Sequence, residues 1–341
     1  MKGKELESIF NKFTKVIEPV IKKILVSNVD KKFQQLVEYP ILTGGKRLRP
    51  ALAVISCLML GGKLRDVLYP AAGLEILHNY TLIVDDMIDD SSLRRGKPTC
   101  WFKFGNSIAQ CVGIDYAATI FQAANKSKNP ALISEIFART IKELVNGEIL
   151  DILFERVGRE KEPYIIKNRY KRVKEKDYFG MISKKTAALL RTSCEIGGIC
   201  TRAKKKELEA LRKYGFNLGM LFQITDDILD IFGQEKKFKK KIGRDVQERK
   251  EGNIVILLAL KEMKPADKKS FLKIIEKKGE ITDSDIKRGM KLIRKTNSQQ
   301  KAYQLGRQFV KEAKKSLRLL PQNKWNNILQ DLADFILVRE K

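Results

Sequence analysis

Two acidic clusters set inside apolar stretches constrain this chain more than any other feature. Asp85-Asp86-Met87-Ile88-Asp89 and, 141 positions later, Asp226-Asp227-Ile228-Leu229-Asp230 repeat one pattern. In each, carboxylates at i and i+4 share a helix face, where like charges destabilise the helix unless a cation gathers them. The residues just before them, Thr81-Leu82-Ile83-Val84 and Leu221-Phe222-Gln223-Ile224, are mostly apolar, so the acids do not belong to an ordinary solvated surface. Clustered carboxylates in partly buried surroundings point to hard metal ions.

The rest of the chain agrees with helices. With 43% hydrophobic residues in 341 the chain can bury a sizeable core, and only 22 Gly and 9 Pro favour long helices over a turn-rich β architecture. Leu74, Leu77, Thr81, Val84 and Ile88 follow the helical period, with Pro70 suited to a first turn. A second helix is predicted over 208–232, stopped by Gly233, with Gly219, Gln223, Asp226 and Asp230 along one stripe. Further helices are predicted over 4–27, 50–60, 107–125, 130–154, 175–194, 253–264 and 303–319, with charged connectors at 156–174 and 236–251.

Composition removes several classes. The five cysteines form no CxxC pair, and no signal peptide opens the chain, which predicts a reducing cytoplasm. The apolar run 51–60 is far shorter than a membrane span. A net charge of +27 invites a nucleic-acid reading, but the basic residues are spread along the chain and no recognition motif accompanies them. At most, such a surface predicts peripheral attraction to anionic membranes. There is no HExxH, GxSxG or GxGxxG, and Gly44-Gly45 lacks P-loop spacing.

A single DDxxD fits a helix N-cap cluster or a solvated face as well as a functional site; two in apolar helices favour function. Mg²⁺ binds through a few carboxylates and substrate phosphates, so the acids suggest a clamped diphosphate. Cations for such a clamp occur in compact groups: Gly44-Gly45-Lys46-Arg47-Leu48-Arg49-Pro50, Arg94-Arg95-Gly96-Lys97 and Lys184-Lys185-Thr186. Arg suits bidentate phosphate contact and Lys acts as a point charge, although in a chain with 68 Lys and Arg any one group also reads as solvent-facing. His78, seven residues before Asp85, lies on nearly the same helical face, either as a satisfied core histidine or as a diphosphate contact.

Taken in order, GGKRLRP at 44–50, LHNYTLIVDDMIDDSSLRRGKPT at 77–99, GEILD at 147–151, KTAAL at 185–189 and LGMLFQITDDILDIFG at 218–233 resemble the trans-polyprenyl diphosphate synthase family. Members condense isopentenyl diphosphate with an allylic diphosphate. The resemblance implies one all-α domain over residues 1–341, its helices around a deep central cavity with the two acidic motifs facing each other at its mouth, and a homodimer. It implies that Asp85, Asp86, Asp89, Asp226, Asp227 and Asp230 bind several Mg²⁺ ions that grip the allylic diphosphate. Arg94, Lys185, Thr186, Gln223, Lys240 and Lys250 would complete that grip, with Lys185 and Lys240 sharing in catalysis. Gly45, Lys46, Arg49, His78 and Arg95 would hold isopentenyl diphosphate.

The implied chemistry is electrostatic: ions and cationic side chains stabilise charge on departing pyrophosphate, the allylic C–O bond ionises, and the isopentenyl double bond attacks the carbocation. Loss of a proton to the released pyrophosphate regenerates an allylic diphosphate. Departures from the family pattern are Lys239-Lys240-Lys241 where relatives often carry a Gly-Lys-Pro turn, Glu148 where many have Gln, and Val84 where His is frequent. In the loop, Lys240 and Lys241 are interchangeable candidates.

Tyr80 stands five residues before Asp85, about 7.5 Å along a helix, where its ring could stop a growing tail. With Leu77 and Thr81 beside it, it makes the chain look like an archaeal-type geranylgeranyl diphosphate synthase; core packing is the competing role for Tyr80. Farnesyl or longer products, a terpene cyclase and a noncatalytic prenyltransferase subunit are the alternatives, the second opposed by the second DDxxD and the third by six intact aspartates.

Overall fold

Helix formation follows the distribution of apolar side chains. The structure is a computed structural model and describes residues 3–233 and 242–339. The chain folds as two compact units, the first comprising residues up to 141 with Leu189–Gly215 and Lys314–Leu332, the second the remainder.

In the first unit the helix Leu64–Ile88 is the hub. Val67, Ala71, Ala72, Leu74, Ile76 and Leu77 are fully buried, so it is apolar around most of its circumference, as a helix enclosed by others must be. It packs on Gly3–Leu25, Leu48–Met59 and Asn106–Asn125. The helix begins at Leu64, six residues before Pro70, and so takes that proline into its interior rather than its first turn. Its start lies where the Asp66 carboxylate accepts the Lys63 N–H at 3.1 Å, a one-sided cap, since a lysine ammonium cannot accept in return. After Ile88 a two-residue antiparallel ribbon pairs Leu93–Arg94 with Lys97–Pro98. Its turn residues Arg95 and Gly96 have φ of 53° and 76°, the pair of left-handed conformations that tight hairpins require.

In the second unit the core is built from Phe154, Tyr178, Ile182, Met220, Ile224 and Phe271, with the helix Ile254–Glu262 buried from Ile254 through Leu260. Asn253 caps that helix, accepting from the N–H groups of Val255 at 2.8 Å and Ile256 at 3.2 Å. The predicted helix 175–194 is three pieces instead: Glu175–Ile182, a π-helical turn Ser183–Ala187, and Ala188–Ile199. Gly219 explains how this turn is accommodated, because a Cβ there would stand 2.4 Å from the Ala187 Cα. The connector predicted over 156–174 contains a short helix, Pro163–Asn168, and Gln34–Leu42, Pro265–Ile275, Asp283–Arg294 and Lys324–Val338 are further helices that periodicity missed.

Candidate functional site

The candidate residues form one charged group in each unit. In the first unit His78, Tyr80, Thr81, Asp85 and Asp86 share the Leu64–Ile88 helix, and Asp89 caps it, its N–H reaching the Asp85 carbonyl at 2.8 Å. Asp86 is 5% exposed and grips Arg94 as a fork, with Nε 2.9 Å from both carboxylate oxygens. Asp85 and Asp89 are half-buried.

The hairpin also aims Arg95 at the Gly44 carbonyl. Gly45 has φ of +147°, and a Cβ there would sit 2.9 Å from the Arg95 guanidinium, so only glycine lets the two segments meet. Arg47, 4% exposed, serves the scaffold: it pairs with buried Glu75 at 2.9 Å and with Glu18 at 3.0 Å. Lys46 is exposed and Arg49 half-buried. Burial, then the charges of Arg49, Arg95, Arg94 and Arg47, hold the His78 imidazole well below its usual pKa, so it is neutral at physiological pH. Burial and the neighbouring guanidiniums Arg94 and Arg47 likewise lower Arg95, against the opposing pull of Glu75. This is a concentration of positive charge suited to an anion.

Leu77 is fully buried, and Tyr80 is half-buried, with Cε2 4.0 Å from where a Gly113 Cβ would stand. The Thr81 hydroxyl donates to the His78 carbonyl at 2.8 Å.

In the second unit the π turn and the helix Lys205–Phe232 bring Thr186, Gln223 and Asp227 into one chain. The Thr186 hydroxyl donates to Gln223 Oε1 at 2.8 Å, and Gln223 Nε2 donates to Asp227 Oδ1 at 2.9 Å. The other oxygen of Asp227 accepts the Tyr178 hydroxyl at 2.8 Å and the Ile254 N–H, at the start of the next helix, at 2.9 Å. Asp227 is therefore fixed in place before any ligand arrives. Asp230 accepts the N–H groups of Arg244 at 2.9 Å and Asp245 at 3.2 Å. Asp226 pairs with Arg339, whose guanidinium lies 4.0 Å from the Phe222 ring centroid.

These acids crowd one another. Burial and the charge of Asp245 push Asp230 up to about 8, and burial with Glu248 pushes Asp245 up to about 6. Asp227 is raised by burial first and Asp245 second.

Beside them runs a ladder of alternating charge. Lys185 Nζ lies 2.7 Å from Glu148 and 2.6 Å from Asp151; Lys250 Nζ lies 3.1 Å from Asp151 and 3.0 Å from Glu248. Burial raises the Asp151 carboxyl, but Lys185 and Lys250 together carry it below the ordinary range.

Lys240 falls outside the described residues. Among the described residues no three His, Cys, Asp or Glu are gathered as a metal cage, and no helix is long and apolar enough to cross a membrane. Sequence reasoning did not single out Asp245, Tyr178 or Arg339. A signal existed only for Asp245, which lies in the charged connector predicted over 236–251.

The fold and these two groups define a class: an all-helical protein with guanidiniums gathered around His78 in one unit and crowded, buried carboxylates in the other. The chain belongs to the polyprenyl synthetase family, whose model matches residues 30–293. It is 35% identical to the short chain isoprenyl diphosphate synthase of Methanocaldococcus jannaschii over 96% of both chains. It is 34% identical to the geranylgeranyl diphosphate synthase of Saccharolobus solfataricus over the full length of both. The crystal structure of geranylgeranyl pyrophosphate synthetase from Pyrococcus horikoshii superposes with a TM-score of 0.89 at 30% identity, covering all of both chains.

Proposed function

We propose that this protein condenses isopentenyl diphosphate with allylic diphosphates, head to tail and with trans geometry, to make geranylgeranyl diphosphate. One observation carries the reading: one unit concentrates guanidiniums around neutral His78, and the other concentrates carboxylates at Asp227, Asp230 and Asp245. Guanidiniums in the first are suited to a diphosphate, and carboxylates in the second are suited to divalent cations.

The all-oxygen donor set and the raised carboxyls fit Mg²⁺. Asp85, Asp86, Asp89, Asp226, Asp227 and Asp230 would hold it, and when bound it neutralises charge on departing pyrophosphate. Arg94, Lys185, Thr186, Gln223, Lys240 and Lys250 orient the allylic diphosphate, and the rigid Tyr178–Asp227–Gln223–Thr186 chain keeps that wall from shifting. Gly45, Lys46, Arg49, His78 and Arg95 hold isopentenyl diphosphate; as a neutral imidazole His78 can donate one hydrogen bond without adding to the crowding of cations. The allylic C–O bond breaks, the isopentenyl double bond supplies the electron pair for the new C–C bond, and the proton leaves with pyrophosphate. A single functional domain over 1–341, homodimerisation and a cytoplasmic location belong to this reading.

The geranylgeranyl product is supported by the names of the Saccharolobus and Pyrococcus relatives, and the name of the Methanocaldococcus relative specifies only a short chain; farnesyl diphosphate is the neighbouring outcome. Incubation with labelled isopentenyl diphosphate, Mg²⁺ and each allylic primer tests the reaction. Cyclised hydrocarbon, or no incorporation with any primer, would refute it. Chain length is assigned to Tyr80, Leu77 and Thr81. Tyr80→Ala should lengthen the dephosphorylated product on reversed-phase chromatography, and an unchanged length would remove Tyr80 as the floor.

A further inference from the structure

Within the second unit, away from both acidic motifs in sequence, a cavity of about 560 Å³ opens among residues 156, 171–176, 251, 257, 260, 261, 268 and 272. Its volume lies within the range of about 300–1,000 Å³ common to small-molecule sites. Its floor is aliphatic: Val173, Leu257 and Leu260 are buried, and Leu272 is half-buried. Its walls carry seven Lys and Arg side chains against two carboxylates. Both acids are already engaged, Glu251 with Arg156 at 3.2 Å and Glu175 with Lys261 at 2.5 Å. Lys171, Lys174, Lys176 and Lys268 have no ion pair among the described residues; the first three are exposed and Lys268 is half-buried.

Several unneutralised ammonium groups around one concavity raise the local concentration of anions. An aliphatic floor adds nothing for inorganic phosphate but favours a hydrocarbon. No aromatic side chain lines the cavity, so it offers no platform on which nucleic-acid bases would stack. We infer that this cavity is a second ligand site, for an amphiphilic phosphate whose head lies among the lysines and whose chain lies on the Val173–Leu257–Leu260–Leu272 floor. The ligand class rests on the proposed reaction, whose substrates and products are such molecules. The lysines thereby have a role separate from turnover.

The full-length protein is titrated calorimetrically in EDTA with farnesyl monophosphate, inorganic pyrophosphate and farnesol. Farnesyl monophosphate should occupy a site that the combined Lys171→Glu, Lys176→Glu and Lys268→Glu variant weakens at least tenfold. Pyrophosphate should bind there at least tenfold more weakly and farnesol not at all. Turnover and the KM for allylic diphosphate should be unchanged. The variant Lys287→Glu, Arg288→Glu, Lys291→Glu, with the same charge change on the exposed face of Asp283–Arg294, should retain binding. Equal losses in both variants, or equal affinity for pyrophosphate and farnesyl monophosphate, would reduce the cavity to a general basic surface and overturn the inference. So would a charge-reversal effect confined to phosphatidylglycerol vesicles or RNA. A protein without turnover that still binds farnesyl monophosphate at these lysines would refute the proposed function and leave this site standing.

Discussion

Lys185 illustrates how one residue's surroundings can set the behaviour of a site. Two carboxylates, Glu148 and Asp151, hold its ammonium within 2.7 Å, so the diphosphate proposed to bind there would have to compete with both for it. Replacing Glu148 by Gln keeps the shape and removes one competitor. The KM for the allylic diphosphate should then fall about threefold to tenfold, equivalent to about 0.7–1.4 kcal/mol, with kcat little changed. Steady-state kinetics decide it: a KM that rises would mean that Glu148 positions Lys185 rather than competing for it. The acidic motifs were legible in the sequence because their spacing and apolar flanks contradict a solvated surface. Their partners were not. Tyr178 reaches Asp227 across 49 positions and Arg339 reaches Asp226 across 113, and no local pattern marks either contact.

At the level of elements, periodicity located most long helices, because a buried helix shows its apolar spacing directly. It failed where backbone geometry changes without a change in composition. The π turn Ser183–Ala187 interrupts a stretch with no proline, and its traces in sequence lie on other helices, at Gly219 and at Gly147, where a Cβ would stand 2.3 Å from the Lys185 backbone nitrogen. Such turns recur at functional sites because they redirect side chains, and here the turn carries Lys185 and Thr186. Gly219→Ala would drive a methyl group into the Ala187 backbone. It should cost about 1–3 kcal/mol of stability. Calorimetry should show a lower unfolding temperature, together with reduced activity from the displaced Lys185 and Thr186; a variant as stable as the parent would mean that the two helices can separate without penalty.

For the whole molecule, the metal-free carboxylate group ties stability to pH. A carboxyl whose pKa is higher folded than unfolded costs stability as it ionises. Asp230 rises from 3.8 to about 8 and Asp245 from 3.8 to about 6. Their contribution is therefore present below pH 3.8 and is lost as pH climbs through 6 and 8. Without metal, the unfolding temperature should fall between about pH 5 and pH 8, and Mg²⁺ should restore more at pH 8 than at pH 6 while releasing protons. A flat profile in EDTA would mean that the acids are already neutralised from within. Arg339 gives that possibility a concrete form at Asp226. Its guanidinium acts as a resident counter-ion, stacked on Phe222 and lodged on the leading carboxylate of the second motif. Any divalent ion bound by that oxygen must first evict it, so metal affinity at Asp226 is a contest between two cations, decided by the hold of Phe222 on its lodger.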